Sequence, residues 1–161
     1  MPRILGIDPG IRQTGWGILD AEGPRHLWVA SGVIRPDPGM ELPRRLLAIE
    51  EALTALLEEH RPELAAIEDV FIHKNAKSAL ILGQAQAAAL LAPARRGIPL
   101  HFYAPREVKL ALTGQGGADK QQVRFMVERI LGRRFGESAL DETDALALAI
   151  CGAGRTQGVG A

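Results

Sequence analysis

The order of the hydrophobic patterns along this chain limits its fold more than any other feature of the sequence. Three short apolar segments with strand character come first, with only turn residues such as Pro9-Gly10 and Gly23-Pro24 between them. Helical spacing appears for the first time over 41–60, and strand and helix patterns alternate from there. Consecutive strands without a helix between them pair antiparallel, whereas strands joined through a helix pair in parallel. The pattern therefore predicts a mixed sheet.

The hydrophobic pattern divides the chain into five strands and five helices. The predicted strands cover residues 3–8, 14–20, 27–35, 64–68 and 98–103. The predicted helices cover about 41–60, 75–92, 105–112, 119–132 and 139–151. We expect an α/β fold, a five-stranded mixed sheet with helices on both faces. Residues 1–152 are expected to form one domain, and 153–161 a flexible C-terminal tail.

The charge of the chain is balanced overall and uneven along its length. The formal net charge is +0, yet residues 73–135 hold 11 Lys or Arg against 3 Asp or Glu, and acidic residues predominate on either side. A basic segment beside acidic ones is typical of a nucleic-acid surface next to a metal site, although any single cation can equally belong to a solvated helix face. The lone Cys151 excludes an internal disulfide and favours a reducing cytoplasm. No apolar run approaches the roughly 18 residues that span a bilayer, and we expect no membrane partner.

Four carboxylates stand where apolar segments end. Asp8 follows the apolar run ILGI, Glu68 follows LAAI, and Asp141 and Asp144 begin the segment DETDALALAI. The last two are three residues apart, so a helix projects them from one face with Cβ atoms about 5–6 Å apart. Buried carboxylates repel one another and lose hydration, and a cation between them relieves both costs. Oxygen ligands without His or Cys favour Mg²⁺ or Mn²⁺, which predicts a metal-dependent enzyme acting on phosphates.

Each of these acids also has an ordinary interpretation. Asp8 could cap a turn, Glu68 could sit at an exposed strand edge, and Asp141 and Asp144 could be the favourable charges of a helix N-terminus. The four together make the stronger case. Four other acids fit the site less well. We expect Asp20 in a turn and Asp69 on the neighbouring strand face. We expect Asp119 to cap a helix and Glu142 to lie off the face of the helix that carries Asp141 and Asp144.

Four ordered motifs resemble one family over nearly the whole chain. They read ILGIDPGxxxTGWG, AIEDVFxxKNAKSALxLGQA, PxxVKxALTGxGxADKxQV and DETDALALAI. Together they resemble the RuvC-type Holliday-junction resolvases, which have a ribonuclease H-like fold. By that resemblance the catalytic and metal-binding positions are Asp8, Glu68, Asp141 and Asp144.

The resemblance implies a function in DNA recombination and repair. The expected enzyme is a homodimeric endodeoxyribonuclease that resolves four-way DNA junctions by symmetric paired nicks. A two-metal mechanism with Mg²⁺, or with Mn²⁺, would leave 5′-phosphate and 3′-hydroxyl ends. The expected location is the bacterial cytoplasm at the nucleoid, and the expected further partner is a branch-migration motor complex.

The same match suggests DNA contacts. Phe71 corresponds to an aromatic residue that stacks on bases near the crossover, although a core position is its ordinary role. Lys109 and Lys120 fall on basic positions that support cleavage, and Lys120 opens a helix after a Gly-rich loop. Further backbone contacts are expected from Lys74, Lys77, Arg106 and Arg124. His73 and Asp69 depart from the family pattern and leave the metal preference and pH profile open.

Three other functional classes fit parts of the sequence. Sugar kinases and actin-like ATPases also begin with a strand and an Asp-x-Gly segment, but they need a second phosphate loop and a longer chain. A ribonuclease H-like RNA-processing nuclease would share the fold and differ in its substrate. A non-catalytic junction-binding module would tolerate the loss of a carboxylate, whereas all four acids are present in this chain.

Overall fold

A computed structural model describes residues 1–69 and 75–158 of the chain. The strands are β1 (Arg3–Asp8), β2 (Thr14–Glu22), β3 (Arg25–Ile34), β4 (Leu64–Glu68) and β5 (Leu100–Tyr103). The helices are α1 (Leu42–His60), α2 (Ala76–Arg95), α3 (Pro105–Thr113), α4 (Lys120–Leu131) and α5 (Leu140–Gly158). Within these described ranges, no helix combines the length and the apolar character that a membrane span needs.

The strands form one mixed sheet in the order β3-β2-β1-β4-β5. The first three strands form an antiparallel meander, while β1 pairs with β4 and β4 with β5 in parallel. α1 connects β3 to β4 and α2 connects β4 to β5, which are the helical crossovers that parallel pairing requires. The predicted five-stranded mixed sheet with helices is therefore confirmed.

The sheet separates two apolar clusters because successive side chains of a strand point to opposite faces. Leu5 and Ile7 of β1 belong to the cluster under α1 and α2, whereas Ile4 belongs to the cluster that includes residues of α3, α4 and α5. Asp8 follows this alternation and shares the face of Ile4. On β4, Glu68 likewise shares the face of Leu64 and Ala66, which is again the α5 face. The alternation thus directs both carboxylates toward α5.

Two glycines let α5 lie directly on the sheet backbone. A Cβ atom at Gly6 of β1 would stand 1.8 Å from the carbonyl oxygen of Ala145, and one at Gly15 of β2 would stand 2.0 Å from the carbonyl oxygen of Asp141. Both distances are far below van der Waals contact, so only glycine fits at these two positions. The glycines of the ILGIDPG and TGWG motifs therefore bring the first turns of α5 against the strand that carries Asp8.

The last helix is longer than the sequence predicts. The periodic pattern predicts a helix over about 139–151 followed by a flexible tail, whereas helical backbone continues to Gly158. Tertiary packing explains the difference, because Gly152 and Ala153 are buried and the guanidinium carbon of Arg155 lies 4.6 Å from the centre of the Tyr103 ring. Such contacts override the low helix propensity of a glycine-rich segment.

The first hairpin also differs from the prediction. Asp20 ends the predicted strand 14–20 and is expected at the turn, whereas it lies inside β2 and the turn is confined to Gly23-Pro24, where Gly23 has a φ of +56°. Asp20 stands opposite Arg3 in the β1–β2 register, and its two carboxylate oxygens accept hydrogen bonds from Arg3 at 2.8 and 3.0 Å. Pairing across the strands therefore gives Asp20 a structural role that a turn position would not.

Candidate active site

Four carboxylates meet at one edge of the sheet. Asp8 and Glu68 end the neighbouring parallel strands β1 and β4, whose last paired residues are Ile7 and Ile67. Asp141 and Asp144 lie in the first turns of α5, which crosses these strands on the same face. One carboxylate oxygen each from Asp8, Asp141 and Asp144 lies within 4.8 Å of the other two. Residues distant in sequence are thus brought together as the motifs predict.

The carboxylates destabilise one another's charges. Burial, and next the negative charge of Glu68, raises the pKa of Asp8 well above its usual range. Burial likewise raises the pKa of Asp144 to about 6, although the nearby Lys120 opposes the shift. The hydrogen bond between the carboxyl groups of Asp8 and Glu68 also favours a proton on Asp8. The metal-free site therefore holds acids that resist full ionisation.

This donor set fits a divalent cation with a preference for oxygen ligands. The cluster of Asp8, Asp141 and Asp144 offers carboxylate oxygens alone, within the span that one ion can bridge. A bound cation would favour the ionised form of each acid and would offset the repulsion that raises the pKa of Asp8 and Asp144. These acids therefore have the chemistry of a metal site.

A pocket of about 140 Å³ opens beside the acids and contains two lysines. Asp8, Glu68, Asp144, Lys109 and Lys120 contribute its polar lining. The Lys120 Nζ lies 3.6 Å from Asp144 Oδ2, and the negative charge of Asp144 raises the pKa of Lys120. The two predicted basic residues thus line the same pocket as three of the predicted acids. Such a pocket can accept a phosphate between cations and metal-binding carboxylates.

Hydrogen bonds that no sequence pattern predicts hold parts of the site in place. The Gln13 side chain donates to Asp141 Oδ2, and the buried Thr14 hydroxyl donates to the carbonyl oxygen of Gly10 at 2.9 Å. The Gln86 amide of α2 donates to the Glu68 carbonyl oxygen at 2.9 Å. Amides and hydroxyls are common on surfaces, so no spacing rule identifies these donors from sequence.

Several other predicted residues lie away from the pocket or outside the described ranges. Phe71, His73 and Lys74 fall in residues 70–74, which the structure does not describe, so their predicted roles stay predictions. Lys77 is exposed in the first turn of α2, where Asn75 caps the helix. Arg124 is engaged inside the protein, since it donates to Glu128 at 2.9 Å and to the Phe135 carbonyl oxygen at 2.6 Å.

Besides Asp20, which pairs with Arg3, Asp119 and Glu142 belong to the acids expected to fit less well and have structural partners. Asp119 caps α4 and accepts a hydrogen bond from the Gln122 N–H at 2.8 Å, as its predicted role as a helix cap requires. Glu142 accepts a hydrogen bond from the Ser31 hydroxyl of β3, and Ser31 in turn accepts one from the Trp28 indole at 2.8 Å. Glu142 therefore joins the start of α5 to the edge strand.

Known proteins resemble this chain over almost its full length. Residues 4–152 match the family model described as "Crossover junction endodeoxyribonuclease RuvC". The RuvC protein of Methylococcus capsulatus is 53% identical over 151 residues, which is 94% of this chain and 90% of that protein. The RuvC protein of Caulobacter vibrioides is 52% identical over 148 residues, or 92% of this chain and 87% of that protein.

A solved structure agrees with these sequence matches. The RuvC protein of Thermus thermophilus in complex with a Holliday junction substrate has a TM-score of 0.86 and 32% identity, covering 93% of this chain and 92% of that one. The yeast mitochondrial Holliday junction resolvase Ydc2, at 15% identity and a TM-score of 0.64, shares the fold. With a family model matched from Ile4 to Gly152, the chain belongs to the RuvC family of crossover junction endodeoxyribonucleases.

Proposed function

We propose that this protein is a Holliday-junction resolvase of DNA recombination and repair that cuts four-way junctions through its four-carboxylate site. The observation that carries the proposal is the cluster of Asp8, Asp141 and Asp144 within 4.8 Å, beside Glu68 and two lysines in one pocket. Family membership supports the substrate class, and a similar protein has been solved with a Holliday junction.

The four carboxylates would hold Mg²⁺, with Mn²⁺ as the alternative, at two ion positions per site. When bound, such ions lower the pKa of an attacking water and stabilise the leaving oxygen, so no nucleophilic side chain is needed. The water oxygen forms the new bond to phosphorus and the bond from phosphorus to the 3′ oxygen breaks. The products are then a 5′-phosphate and a 3′-hydroxyl.

The protein's own groups orient the phosphodiester in this scheme. Lys120 opens α4, so its ammonium and the positive end of the helix dipole act on the same phosphate. Lys109 lines the pocket from α3 and supplies a second cation. Gln13 fixes one oxygen of Asp141 and leaves the other free for metal binding.

Contacts beyond the pocket complete the proposed DNA interface. In this proposal Phe71 stacks on an opened base, and Lys74 and Lys77 bind phosphates next to it. Arg124 carries less of this role than its sequence position suggests, because its guanidinium already binds Glu128 and the Phe135 carbonyl oxygen.

Paired symmetric nicks require two copies of the site, and we place the dimer interface on α1 and α2. Both helices leave large apolar side chains exposed, Leu47 at 48% and Leu91 at 47% of their surface, on either side of a groove lined by Leu46 and Ala88. An apolar face of this kind favours a second copy of the chain. We also propose that the protein acts in a bacterial cytoplasm, where a branch-migration motor delivers the junction to it.

The test incubates the purified protein with a labelled four-way junction, a matched duplex and a matched single strand. Each substrate receives Mg²⁺, Mn²⁺ or EDTA, and gels under denaturing conditions locate the nicks. We expect paired symmetric nicks in the junction alone, and none in EDTA. Cutting of the plain duplex or of the single strand would contradict the proposed substrate, and binding without cutting under either metal would contradict the proposed activity.

A further inference from the structure

Beyond the pocket, α4 and the loop that follows it carry a second concentration of positive charge. Arg129, Arg133 and Arg134 are exposed here, and Phe125 exposes 61% of its surface among them. We call these four residues the α4 arginine surface; all four line one groove of about 820 Å³.

The end of α4 explains why the arginines gather on one side. Gly132 ends the helix with a φ of +62°, and the Arg133 N–H bonds the Glu128 carbonyl oxygen at 3.1 Å, so the chain turns back along the helix. Arg124 then holds the returning loop through the Phe135 carbonyl oxygen at 2.6 Å. The loop therefore presents Arg133 and Arg134 beside Arg129 of the helix.

The charges of this surface are largely available to a ligand. Glu128 is paired with Arg124, whereas Arg129 and Arg134 form no ion pair among residues 1–69 and 75–158. The Arg133 guanidinium lies 3.7 Å from the centre of the Trp28 ring, a stacking that leaves its N–H edge free for an anion. Glu137 also lines the groove, but three exposed arginines outnumber it. The surface is thus positive and held in place before any ligand binds.

The surface belongs to the same helix as Lys120 of the catalytic pocket and lies on the opposite side of that helix. Lys120 of that pocket is the first residue of α4, and Phe125 and Arg129 follow on the same helix at about 8 and 14 Å along its axis. Arg25 of the β2–β3 hairpin extends the positive charge, since it lines a neighbouring groove together with Arg129. Double-stranded DNA rises about 3.4 Å per base pair on each strand, so these distances along α4 correspond to about two and four base pairs beyond the cleaved bond.

We propose that the α4 arginine surface binds the phosphate backbone of the duplex arm that leaves the cleavage site. This inference rests on the proposed junction-cleaving function and adds a second DNA contact to it. Arg129, Arg133 and Arg134 bind phosphates, and Phe125 packs against a deoxyribose between them. The contact steadies the arm beyond the pocket, around the far side of α4, and is independent of base sequence.

The decisive test measures the salt dependence of junction binding. Each phosphate contact adds about 0.9 to the slope of log affinity against log salt, so Arg129→Gln with Arg134→Gln should reduce that slope by about 2. Between about 50 and 200 mM salt, the wild type should then lose roughly tenfold more affinity than the variant. Cleavage at saturating junction should stay unchanged, because neither arginine lines the catalytic pocket.

The matched control removes two exposed arginines from the other face of the sheet. Arg61→Gln with Arg96→Gln, at the ends of α1 and α2, changes the charge equally and should leave the slope as in the wild type. As a second readout, neutral methylphosphonate linkages placed about two to four base pairs from the cut should weaken binding by the wild type and not by the α4 variant.

The outcomes separate this inference from the proposed function. Equal slopes for the α4 variant and the control would overturn the inference, while junction cleavage by the wild type would still stand. Failure of the wild type to bind or cut any junction would remove the proposed function, and this inference with it.

Discussion

The pKa of an aspartate is shifted in opposite directions at the two ends of β1. At the start of the strand, Arg3 pairs with Asp20 of β2 through two hydrogen bonds, and this pairing lowers the pKa of Asp20. At its end, Asp8 faces Glu68, Asp141 and Asp144, and burial with these like charges raises the pKa of Asp8. Two aspartates on neighbouring strands of one sheet are thus shifted in opposite directions by their partners.

The difference indicates that the Arg3 end of β1 contributes to stability and that the Asp8 end belongs to the candidate active site. An acid whose partner favours its charge contributes free energy to folding, whereas an acid held among like charges costs free energy until a cation binds. Sites that bind metal or substrate commonly retain such a cost. The comparison can be tested by removing one charge at a time from each end.

The largest expected effect is the loss of cleavage in Asp8→Asn. The amide keeps the shape of the side chain but removes one carboxylate of the proposed metal site, and metal catalysis supplies several kcal/mol, so the rate should fall by at least about a thousandfold. Junction binding should persist, because phosphate contacts by cations supply most of it. Single-turnover cleavage and gel-shift assays measure the two activities separately.

Asp20→Asn is the matched control for this change. It is the same substitution on the adjacent strand, away from the pocket, and its cleavage rate should stay within about twofold of the wild type. If both variants lost cleavage equally, the division between the two ends of β1 would be wrong.

The next largest effect is a loss of stability in Gly6→Ala, which tests how closely α5 packs on β1. A Cβ at this position would meet the Ala145 carbonyl oxygen at 1.8 Å, so α5 must shift, at a cost of about 3 kcal/mol. Thermal unfolding measures this loss. Gly154→Ala, in the same helix with no atom within 4 Å of its added Cβ, should instead stabilise by about 0.5–1 kcal/mol.

A smaller effect is expected for the stability of Asp20→Asn. The Arg3–Asp20 pair is partly buried, with 32% and 14% of the two side chains exposed, so losing its charge should cost about 1–2 kcal/mol after solvent screening. Denaturant unfolding at pH 7 measures the difference in the free energy of unfolding. Equal stability of variant and wild type would contradict a structural role for the pair.

The pH dependence of that difference follows from the sign of the shift. Because the pKa of Asp20 is lowered on folding, the contribution is complete above the unfolded value of about 4 and is lost as the pH falls through the folded value. The gap between wild type and Asp20→Asn should therefore be constant from pH 7 to pH 5 and shrink below about pH 4. A gap that widens in acid would contradict this assignment.

The smallest expected effect is a gain in stability, for Asp8→Asn without metal. In EDTA at pH 7, Asp8→Asn should raise the free energy of unfolding by about 1 kcal/mol, because it removes a buried acid that folding makes harder to ionise. Saturating Mg²⁺ should reverse the order, since binding to the folded wild type stabilises it. A variant less stable than the wild type in both buffers would show that Asp8 is not held at a cost.

The sequence predicts most elements and the acidic cluster well, because both depend on local patterns. Period-two and helical spacing identified five strands and five helices close to their observed bounds. The position of each acid at the end of an apolar segment led to a cluster that the fold assembles around Asp8, Asp141 and Asp144. The two lysines at Lys109 and Lys120 line the same pocket, where the motif match suggested them.

Features that depend on distant partners were not predicted. Asp20 was expected in a turn, and its ion pair with Arg3 depends on the β1–β2 register. The Gln13–Asp141 hydrogen bond joins residues 128 positions apart, beyond any local pattern. Arg124 resembles a DNA contact in sequence, yet the loop that returns along α4 engages its guanidinium inside the protein.

The contact of α5 with the backbone of Gly6 and Gly15 limits which substitutions can alter the geometry of the site. The spacing between Asp8 and the acids of α5 is set by main-chain atoms touching main-chain atoms, and these have the same size in every sequence. Substitutions among the apolar side chains elsewhere can therefore alter melting temperature without altering the width of the metal site. Stability and catalytic geometry are in this sense separately adjustable, and a thermostable variant can be sought in the core under α1 and α2 while the site keeps its dimensions.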